Sequence, residues 1–311
     1  GANRYRGDCA IWWLVHREMG GRKAVLSDGF EIVEKEFERI VGAGPELRRI
    51  AEGFEFAEGP VWFENGLVFS DIPGDTIYRW TEGEGLSVWR RPSHHANGNT
   101  VDLEGRLITC EHGSRRVTRT ERDGSVTVLA ATYGGKRLNS PNDVVVKSDG
   151  SIWFTDPPYG IEEQEKEQAG NYVFRLDPGA EEPVAVADDF SMPNGLYFSP
   201  DEETLYIADS AHEIAQVRKF AVQKYGTLGP GGTWVAVAPG IPDGLRTDTA
   251  GRVYVCAGNG VQVFRPDGRL LGRIGTPETA ANCTFGGVGK RTLFITAVSA
   301  VWAVELGVEG R

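Results

Sequence analysis

Residues 142–156 of the chain read NDVVVKSDGSIWFTD, which is a polar residue, an apolar run, an Asp-Gly pair and a second apolar run. β-Branched and aromatic residues favour strands, and Asp-Gly between two such runs is typical of a hairpin turn. The segment therefore predicts two antiparallel strands joined by a tight turn, with Asn142 at the entrance of the first strand.

This pattern occurs six times along the chain, at intervals of about 40 to 50 residues. A third strand-like run follows in most copies, for example Thr76–Trp80, Tyr172–Leu176 and Val261–Phe264. A repeat of this length with several short β runs is typical of a propeller blade. We call the residue that opens the first apolar run of each copy its anchor. The anchors are Glu58, Asn97, Asn142, Asn194, Asp243 and Cys283.

Six copies predict an all-β protein, a six-bladed β-propeller over residues 46–311 with an N-terminal extension over residues 1–45. The last copy leaves room for about three strands, so Leu47–Ala51 is predicted to supply the outer strand of the sixth blade and close the ring. Within the extension, residues 29–42 have the apolar spacing of one short amphipathic helix, which we expect to cap the barrel surface.

Composition limits the class of partner. The chain has 311 residues, 41 Gly and 16 Pro, and a formal net charge of −11. An acidic balance argues against a nucleic-acid partner, because such binding relies on clustered Lys and Arg. No apolar run reaches the roughly 18 residues that span a bilayer, so we expect no membrane partner either. The partner predicted from this balance is a cation or a small neutral substrate.

The cysteines bear on the compartment. The chain has 4 Cys without a CxxC pair, which favours buried free thiols over a disulfide framework or a zinc site. Few cysteines favour a cytoplasmic protein. The apolar run Ala10–Val15 and the absence of an initial Met keep a processed export signal, and hence a periplasmic protein, as the alternative. The sequence leaves the oligomeric state open.

The anchors predict a metal site. The innermost strand of each blade lines the central channel of a propeller, so the anchors are expected to converge there. Four of them supply two carboxylates and two amide carbonyls, the oxygen donors that a hard divalent cation prefers. Calcium is favoured over zinc because the set needs no His or Cys. Turn preference explains a single Asn or Asp at a strand entrance, but it does not explain Glu58.

Several motifs together resemble those of a known family of six-bladed propellers, the SMP-30/gluconolactonase/luciferin-regenerating family. They are Ala57–Trp62 (AEGPVW), Ser140–Val145 (SPNDVV), Met192–Leu196 (MPNGL) and Ile241–Leu245 (IPDGL). Cys110–Val117 (CEHGSRRV) and Trp153–Gly160 (WFTDPPYG) are similar to the bacterial gluconolactonase branch of that family. The resemblance covers roughly residues 47–305.

The resemblance implies a divalent metal, usually calcium, on the propeller axis. Glu58, Asn194 and Asp243 match the core metal ligands of the family, and Asn142 matches a position that completes the metal shell or touches substrate. Asp243 also matches the residue that accepts and returns the proton. In the animal branch a substrate-contacting Arg stands two residues before the position of Asn142, whereas this chain has Ser140 there.

The function that the resemblance implies is calcium-dependent hydrolysis of a sugar lactone, of the glucono-1,5-lactone type, to the aldonic acid. The cation polarises the carbonyl, and Asp243 acts as general base and then general acid. Two alternatives stay open. One is an organophosphate hydrolase of the diisopropylfluorophosphatase type, which uses a similar calcium site, and the other is a non-catalytic ligand-binding propeller.

Four polar residues are candidates for substrate binding: Asn142, Asn97, His95 and His112. A histidine at the channel mouth can bind sugar hydroxyls or shuttle protons, and the competing interpretation is a loop histidine satisfied by its own hydrogen bonds. Three aromatic residues are interpreted as packing between blades: Trp153, Tyr159 and Tyr206.

Overall fold

Each of the six repeats forms one antiparallel sheet, or blade, and the sheets together form a six-bladed propeller. The computed structural model describes residues 29–311. Strands of the first three blades follow chain order across each sheet. Blade 1 has β3 (Ala57–Phe63), β4 (Gly66–Asp71), β5 (Thr76–Thr81) and β6 (Gly85–Arg90). Blade 2 has β7 (Ala96–Val101), β8 (Leu107–Glu111), β9 (Arg116–Thr120) and β10 (Val126–Ala130). Blade 3 has β13 (Val144–Val146), β14 (Ile152–Asp156), β15 (Asn171–Leu176) and β16 (Val184–Phe190).

The second half of the propeller repeats this arrangement. Blade 4 has β17 (Pro193–Phe198), β18 (Thr204–Asp209), β19 (Gln216–Val222) and β20 (Leu228–Ala236). Blade 5 has β21 (Pro242–Thr247), β22 (Val253–Ala257), β23 (Gly260–Phe264) and β24 (Leu270–Gly275). Blade 6 has β25 (Asn282–Gly286), β26 (Thr292–Ala297) and β27 (Ala300–Glu305) from the end of the chain. A small hairpin, β11 (Thr132–Tyr133) and β12 (Lys136–Arg137), joins blades 2 and 3, and short 3₁₀ turns lie at Glu163–Glu165, Lys224–Gly226 and Val288–Lys290.

The ring closes as predicted. Strand β2 (Arg48–Glu52) pairs antiparallel with β27, with Arg48 opposite Ala303 and Glu52 opposite Ala300. The outer strand of the last blade therefore comes from the start of the propeller. Because this pairing fills the outer edge of blade 6, the two ends of the ring are held together by a ladder of backbone hydrogen bonds.

The predicted helix over residues 29–42 is shorter than expected. Residues Phe30–Ile32 form β1, which adds a fifth strand to blade 5 by pairing with β24, and α1 spans Glu36–Val41. The open edge of β24 offers backbone partners that a solvated helical turn lacks, so the apolar residues at 30 and 32 join the sheet. The helix buries Phe37, Ile40 and Val41 against blades 5 and 6. Strand β1 thus belongs to the predicted extension but pairs with the propeller.

The hydrophobic core of the described chain lies mainly between the blades. One cluster of buried side chains occupies each of the six blade interfaces. Trp153 of blade 3 meets Phe198 of blade 4 edge to face, with ring centroids 5.4 Å apart. The face-to-face packing of twisted sheets around a ring therefore buries most apolar residues of the inner strands, whereas several apolar residues of the outermost strands stay exposed, such as Val88, Val128 and Val184.

The first strands of neighbouring blades approach closely around the central channel. The N–H of Gly98 donates to the carbonyl of Asn142 at 2.8 Å, and the N–H of Gly244 donates to the carbonyl of Ala281 at 2.8 Å. A Cβ on Gly98 would lie 2.5 Å from the Asn142 oxygen, closer than any side chain tolerates. The glycines that follow these anchors therefore allow strand contact, and this is their role rather than turn formation.

Across residues 29–311, no helix is both long enough and apolar enough to cross a membrane. The described cysteines Cys110, Cys256 and Cys283 are buried, as predicted. Cys9 and the apolar run Ala10–Val15 lie outside the described residues.

Candidate active site on the propeller axis

The anchor side chains lie where strand pairing is interrupted. In β3, β7, β17 and β21 the ladder to the second strand shifts register at the anchor. Such a bulge turns a side chain out of the regular alternation, and here it leaves polar groups facing the axis. The five polar anchors are all buried, with exposed fractions of at most 5%: Glu58, Asn97, Asn142, Asn194 and Asp243.

Two carboxylates share this buried space. Burial, reinforced by the charge of Asp143, raises the pKa of Glu58 to about 7. Burial and the charge of Glu58 raise the pKa of Asp243 well above its ordinary value, and a hydrogen bond from the Asn194 side chain opposes this shift. Both shifts express the same cost, which is negative charge held away from water, and at Glu58 the charge of Arg246 offsets part of this cost. The structure therefore brings Glu58, Asn194 and Asp243 together electrostatically.

The sixth anchor is Asn282, and the prediction of Cys283 was wrong by one residue. The Asn282 Nδ2 donates to Glu58 Oε2 at 3.0 Å and lies 3.4 Å from Asp143 Oδ2. Cys283 instead packs in the apolar cluster between blades 5 and 6. A slip of one position exchanges the two faces of a strand. A small residue or Pro precedes every other anchor, and Ala281 before Asn282 is the signal that identifies the correct register.

A buried ion pair lies beside the carboxylates, and the sequence analysis missed it. The Arg246 Nη1 is 3.9 Å from Asp143 Oδ2, and both side chains are at most 6% exposed. The Arg246 guanidinium also lies over the Tyr197 ring, 4.9 Å from its centroid. Asp143 occupies the position after the anchor where four other copies have Gly, and this departure was the available signal. The channel thus contains a connected cluster of three carboxylates, one amide and one guanidinium.

Asn97 and His112 form a second polar pair. The Asn97 Nδ2 lies 3.2 Å from His112 Nε2, and Asn97 Oδ1 is buried without a hydrogen-bond partner among residues 29–311. Burial, aided by the charge of His95, lowers the pKa of His112 to about 3, so the imidazole is neutral at physiological pH. A neutral Nε2 that accepts from Asn97 places the ring proton on Nδ1. His95 is half-buried, and its Nδ1 lies 2.9 Å from the Ile72 carbonyl oxygen.

The interpretation of the three aromatic residues as packing between blades is confirmed for two of them. Trp153 and Tyr206 are buried in clusters between blades. Tyr159 lies beside the polar side chains of Asn194 and Ser210, within electrostatic range of Asp243. It is carried by the loop after β14, outside the regular strands, where strand alternation gives no guide to side-chain direction.

The polar channel residues suit a hard divalent cation. Among residues 29–311 no group of three or more His, Cys, Asp or Glu side chains is arranged to hold a metal ion. The predicted ligand set contains only two residues of those types, Glu58 and Asp243. Its other two members, Asn142 and Asn194, would contribute amide oxygens. The two buried carboxylates, whose pKa values are raised, and Asn97 Oδ1, which has no hydrogen-bond partner within residues 29–311, are the kinds of group that a hard cation stabilises.

Comparisons with known proteins agree with this architecture. The sequence signature of the SMP-30/Gluconolactonase/LRE-like region matches residues 56–299. The gluconolactonase of Zymomonas mobilis is 35% identical over 291 residues, with 83% of this chain and 80% of that protein covered. The pentonolactonase XacC of Haloferax volcanii is 27% identical over 252 residues, covering 77% of this chain and 80% of that protein. A solved gluconolactonase of Xanthomonas campestris superposes with a TM-score of 0.85 at 39% identity, covering 90% of this chain and 95% of that one. The chain belongs to the SMP-30/gluconolactonase family.

Proposed function

We propose that this chain hydrolyses a sugar lactone of the glucono-1,5-lactone type to the open-chain aldonic acid, with a divalent cation, Ca²⁺ above others, as its cofactor. Similarity to enzymes named gluconolactonase and pentonolactonase supports a lactone substrate. The observation that carries the cation is the buried pair Glu58 and Asp243, whose pKa values are raised by burial and neighbouring negative charge.

Four side chains would hold the cation: Glu58, Asn142, Asn194 and Asp243. Two carboxylates give a formal ligand charge of −2, which matches a divalent ion, and the amide oxygens add donors without adding charge. When bound, such a cation polarises the lactone carbonyl as a Lewis acid. Asn282 supports Glu58 through its 3.0 Å hydrogen bond and so limits the rotation of that carboxylate.

Asp243 is proposed as general base and general acid. It takes a proton from the water whose oxygen bonds to the carbonyl carbon, and it returns the proton to the ring oxygen as the ring C–O bond breaks. The product then has one new hydroxyl and one carboxylic acid, so water is consumed and no other reactant is needed. A bound cation lowers the pKa of this carboxyl, whereas burial raises it. The two opposed effects bring the group toward the range where a base works near neutral pH.

Asn97, His112, His95 and Asn142 are proposed to contact the substrate. The neutral His112 and the amide of Asn97 already form one pair, and the unpaired Asn97 Oδ1 is free to accept a sugar hydroxyl. A sugar lactone carries several hydroxyl groups that both donate and accept. A rim that contains amides and the neutral imidazole of His112 therefore suits it better than a fully charged rim would.

The test is hydrolysis of glucono-1,5-lactone. The acid that hydrolysis releases is monitored with a pH indicator in weak buffer, and the rate of spontaneous hydrolysis is subtracted. We expect EDTA to abolish turnover and added Ca²⁺ to restore it. Asp243→Asn should lower kcat by at least about a hundredfold, whereas the matched exposed control Asp188→Asn should keep the wild-type rate. Activity that survives both EDTA and Asp243→Asn would contradict the mechanism.

Two further measurements separate the alternatives. Turnover of diisopropyl fluorophosphate without lactone turnover would identify an organophosphate hydrolase. Calcium-dependent stabilisation with neither activity would identify a ligand-binding propeller. Under the proposed function Ca²⁺ raises the Tm of the wild type, and Glu58→Gln removes most of this rise because one of the two ligand charges is lost.

A further inference from the structure

The loop that follows β14 is fastened by one buried hydroxyl. The Ser140 Oγ donates to the Pro157 carbonyl at 2.7 Å and accepts from the Gly160 N–H at 2.8 Å. Ser140 is fully buried. Both ends of the turn Pro157–Gly160 are therefore tied to a single side chain, and the residue between them that has a long polar side chain is Tyr159.

The remainder of this loop is held by side chains as well. The Arg115 Nε donates to the Leu138 carbonyl at 2.7 Å, and its Nη1 donates to the Glu165 carbonyl at 3.0 Å. The Gln168 Nε2 donates to the carbonyls of the hairpin between blades 2 and 3, each at 3.1 Å. These bonds fix the segment from residue 157 to residue 168 on the face of the propeller.

The loop also packs directly against the candidate site. A Cβ on Gly160 would lie 2.7 Å from the Cβ of His112, so only Gly allows this approach. The contact places the neighbouring Tyr159 next to the polar rim. Its side chain then extends to Asn194 and Ser210, within electrostatic range of Asp243.

The Tyr159 hydroxyl has unused hydrogen-bonding capacity. Its oxygen is shielded from solvent and has no hydrogen bond of suitable geometry to any residue in the range 29–311. The Ser210 hydroxyl beside it already donates to the Pro242 carbonyl. A tyrosine hydroxyl is protonated at neutral pH, so the group can serve as a hydrogen-bond donor. Buried polar groups are nearly always paired, and an unpaired donor at a site is expected to meet its partner in the ligand.

We infer that Tyr159 is a substrate-contacting residue of this site: its hydroxyl donates a hydrogen bond to the lactone oxygen next to Asp243, and Ser140 is the positioning residue that holds it there. This rests on the proposed lactone hydrolysis. The oxygen next to Asp243 is the ring oxygen, which gains negative charge as the ring C–O bond breaks and then takes the proton from Asp243. A fixed donor stabilises that charge more than it stabilises the bound substrate, so it acts on kcat.

The first test compares Tyr159→Phe with the wild type in steady-state lactone hydrolysis. We expect kcat/KM to fall by about tenfold or more, mainly through kcat. The Tm should change little, because within residues 29–311 the hydroxyl makes no hydrogen bond of suitable geometry that the variant would lose. The control Tyr225→Phe removes an exposed hydroxyl and should leave kcat/KM unchanged. A kcat/KM within twofold of the wild type, or a change confined to KM, would overturn the assignment.

The second test is a double-mutant cycle with Ser140→Ala. If Ser140 acts through Tyr159, Ser140→Ala lowers kcat/KM severalfold in the wild-type background and by less than twofold in the Tyr159→Phe background. An equal loss in both backgrounds would show that Ser140 only supports the fold, which would overturn its positioning role.

These experiments distinguish failure of the proposed function from failure of the inference about Tyr159. A wild-type protein without lactone turnover would refute the proposed function itself. A wild-type protein that is active, with an equally active Tyr159→Phe, would refute this inference alone.

Discussion

The ion pair in the channel leads to a prediction whose size follows from the structure. Arg246 and Asp143 are both buried, with Nη1 and Oδ2 3.9 Å apart. Two unit charges at this separation attract by about 4 kcal/mol at an effective dielectric constant of about 20. Replacement of Arg246 with Gln removes this attraction and leaves Asp143 buried without a counter-charge. We therefore expect the free energy of unfolding to fall by about 3 to 5 kcal/mol.

The measurement is urea unfolding of four proteins at pH 8: wild type, Arg246→Gln, Asp143→Asn and the double variant. Burial raises the pKa of Asp143, so an alkaline pH keeps that carboxyl ionised. In the double variant both charges of this ion pair are removed, so neither partner is left buried alone. Its loss should therefore be smaller than the sum of the single losses by about 2 to 4 kcal/mol.

A matched control is available at the surface. Arg49 pairs with Glu52 at 2.7 Å, but both side chains are more than half exposed. Arg49→Gln should cost less than about 1 kcal/mol, because solvent screens the pair. Losses from the two channel substitutions that add within about 0.5 kcal/mol would refute the reasoning, since independent sites behave in that way.

Three more predictions concern the support of the site and the fold. Gly244→Ala would place a Cβ 2.0 Å from Asn282 Cγ. We therefore expect the free energy of unfolding in urea to fall by about 3 kcal/mol or more and lactone turnover to decrease. The control Gly232→Ala has open space around it and should change the free energy of unfolding by less than about 1 kcal/mol. Burial raises the pKa of Asp156 to about 7, so the folded protein holds this proton more tightly than the unfolded chain does. The free energy of unfolding should therefore fall by up to about 4 kcal/mol as pH rises from about 4 to about 7. Asp156→Asn should remove this contribution to the pH dependence of the unfolding free energy. Deletion of residues 1–53 removes β2 and should lower the Tm in a thermal melt, because blade 6 loses its outer strand.

Each of these three has a result that contradicts it. Equal stability of the two glycine variants would mean that the strand contact at Gly244 relaxes without cost. Parallel pH profiles for the wild type and Asp156→Asn would show that this carboxyl does not titrate abnormally. An unchanged Tm after the deletion would show that β2 does not close the ring.

Local sequence patterns predicted the architecture well. The alternation of apolar runs with Asp-Gly turns depends on contacts between residues a few positions apart, and these contacts are visible in the sequence. The closing strand β2 followed from counting, since the last copy lacked one strand. The helix was overextended because periodicity over residues 30–33 does not reveal the unpaired edge of β24 that recruits β1.

The sequence by itself determined the number of blades, the closing strand and five of the six polar residues that open the inner strands. The tertiary structure decided which groups meet on the axis. Asn282 bonds Glu58 across 224 positions of the chain and approaches Asp143 across 139. No local pattern encodes pairs so distant, because closure of the ring brings them together. The position of Tyr159 also depends on tertiary contacts, because the hydrogen bonds of Ser140 to Pro157 and Gly160 hold the loop that carries it.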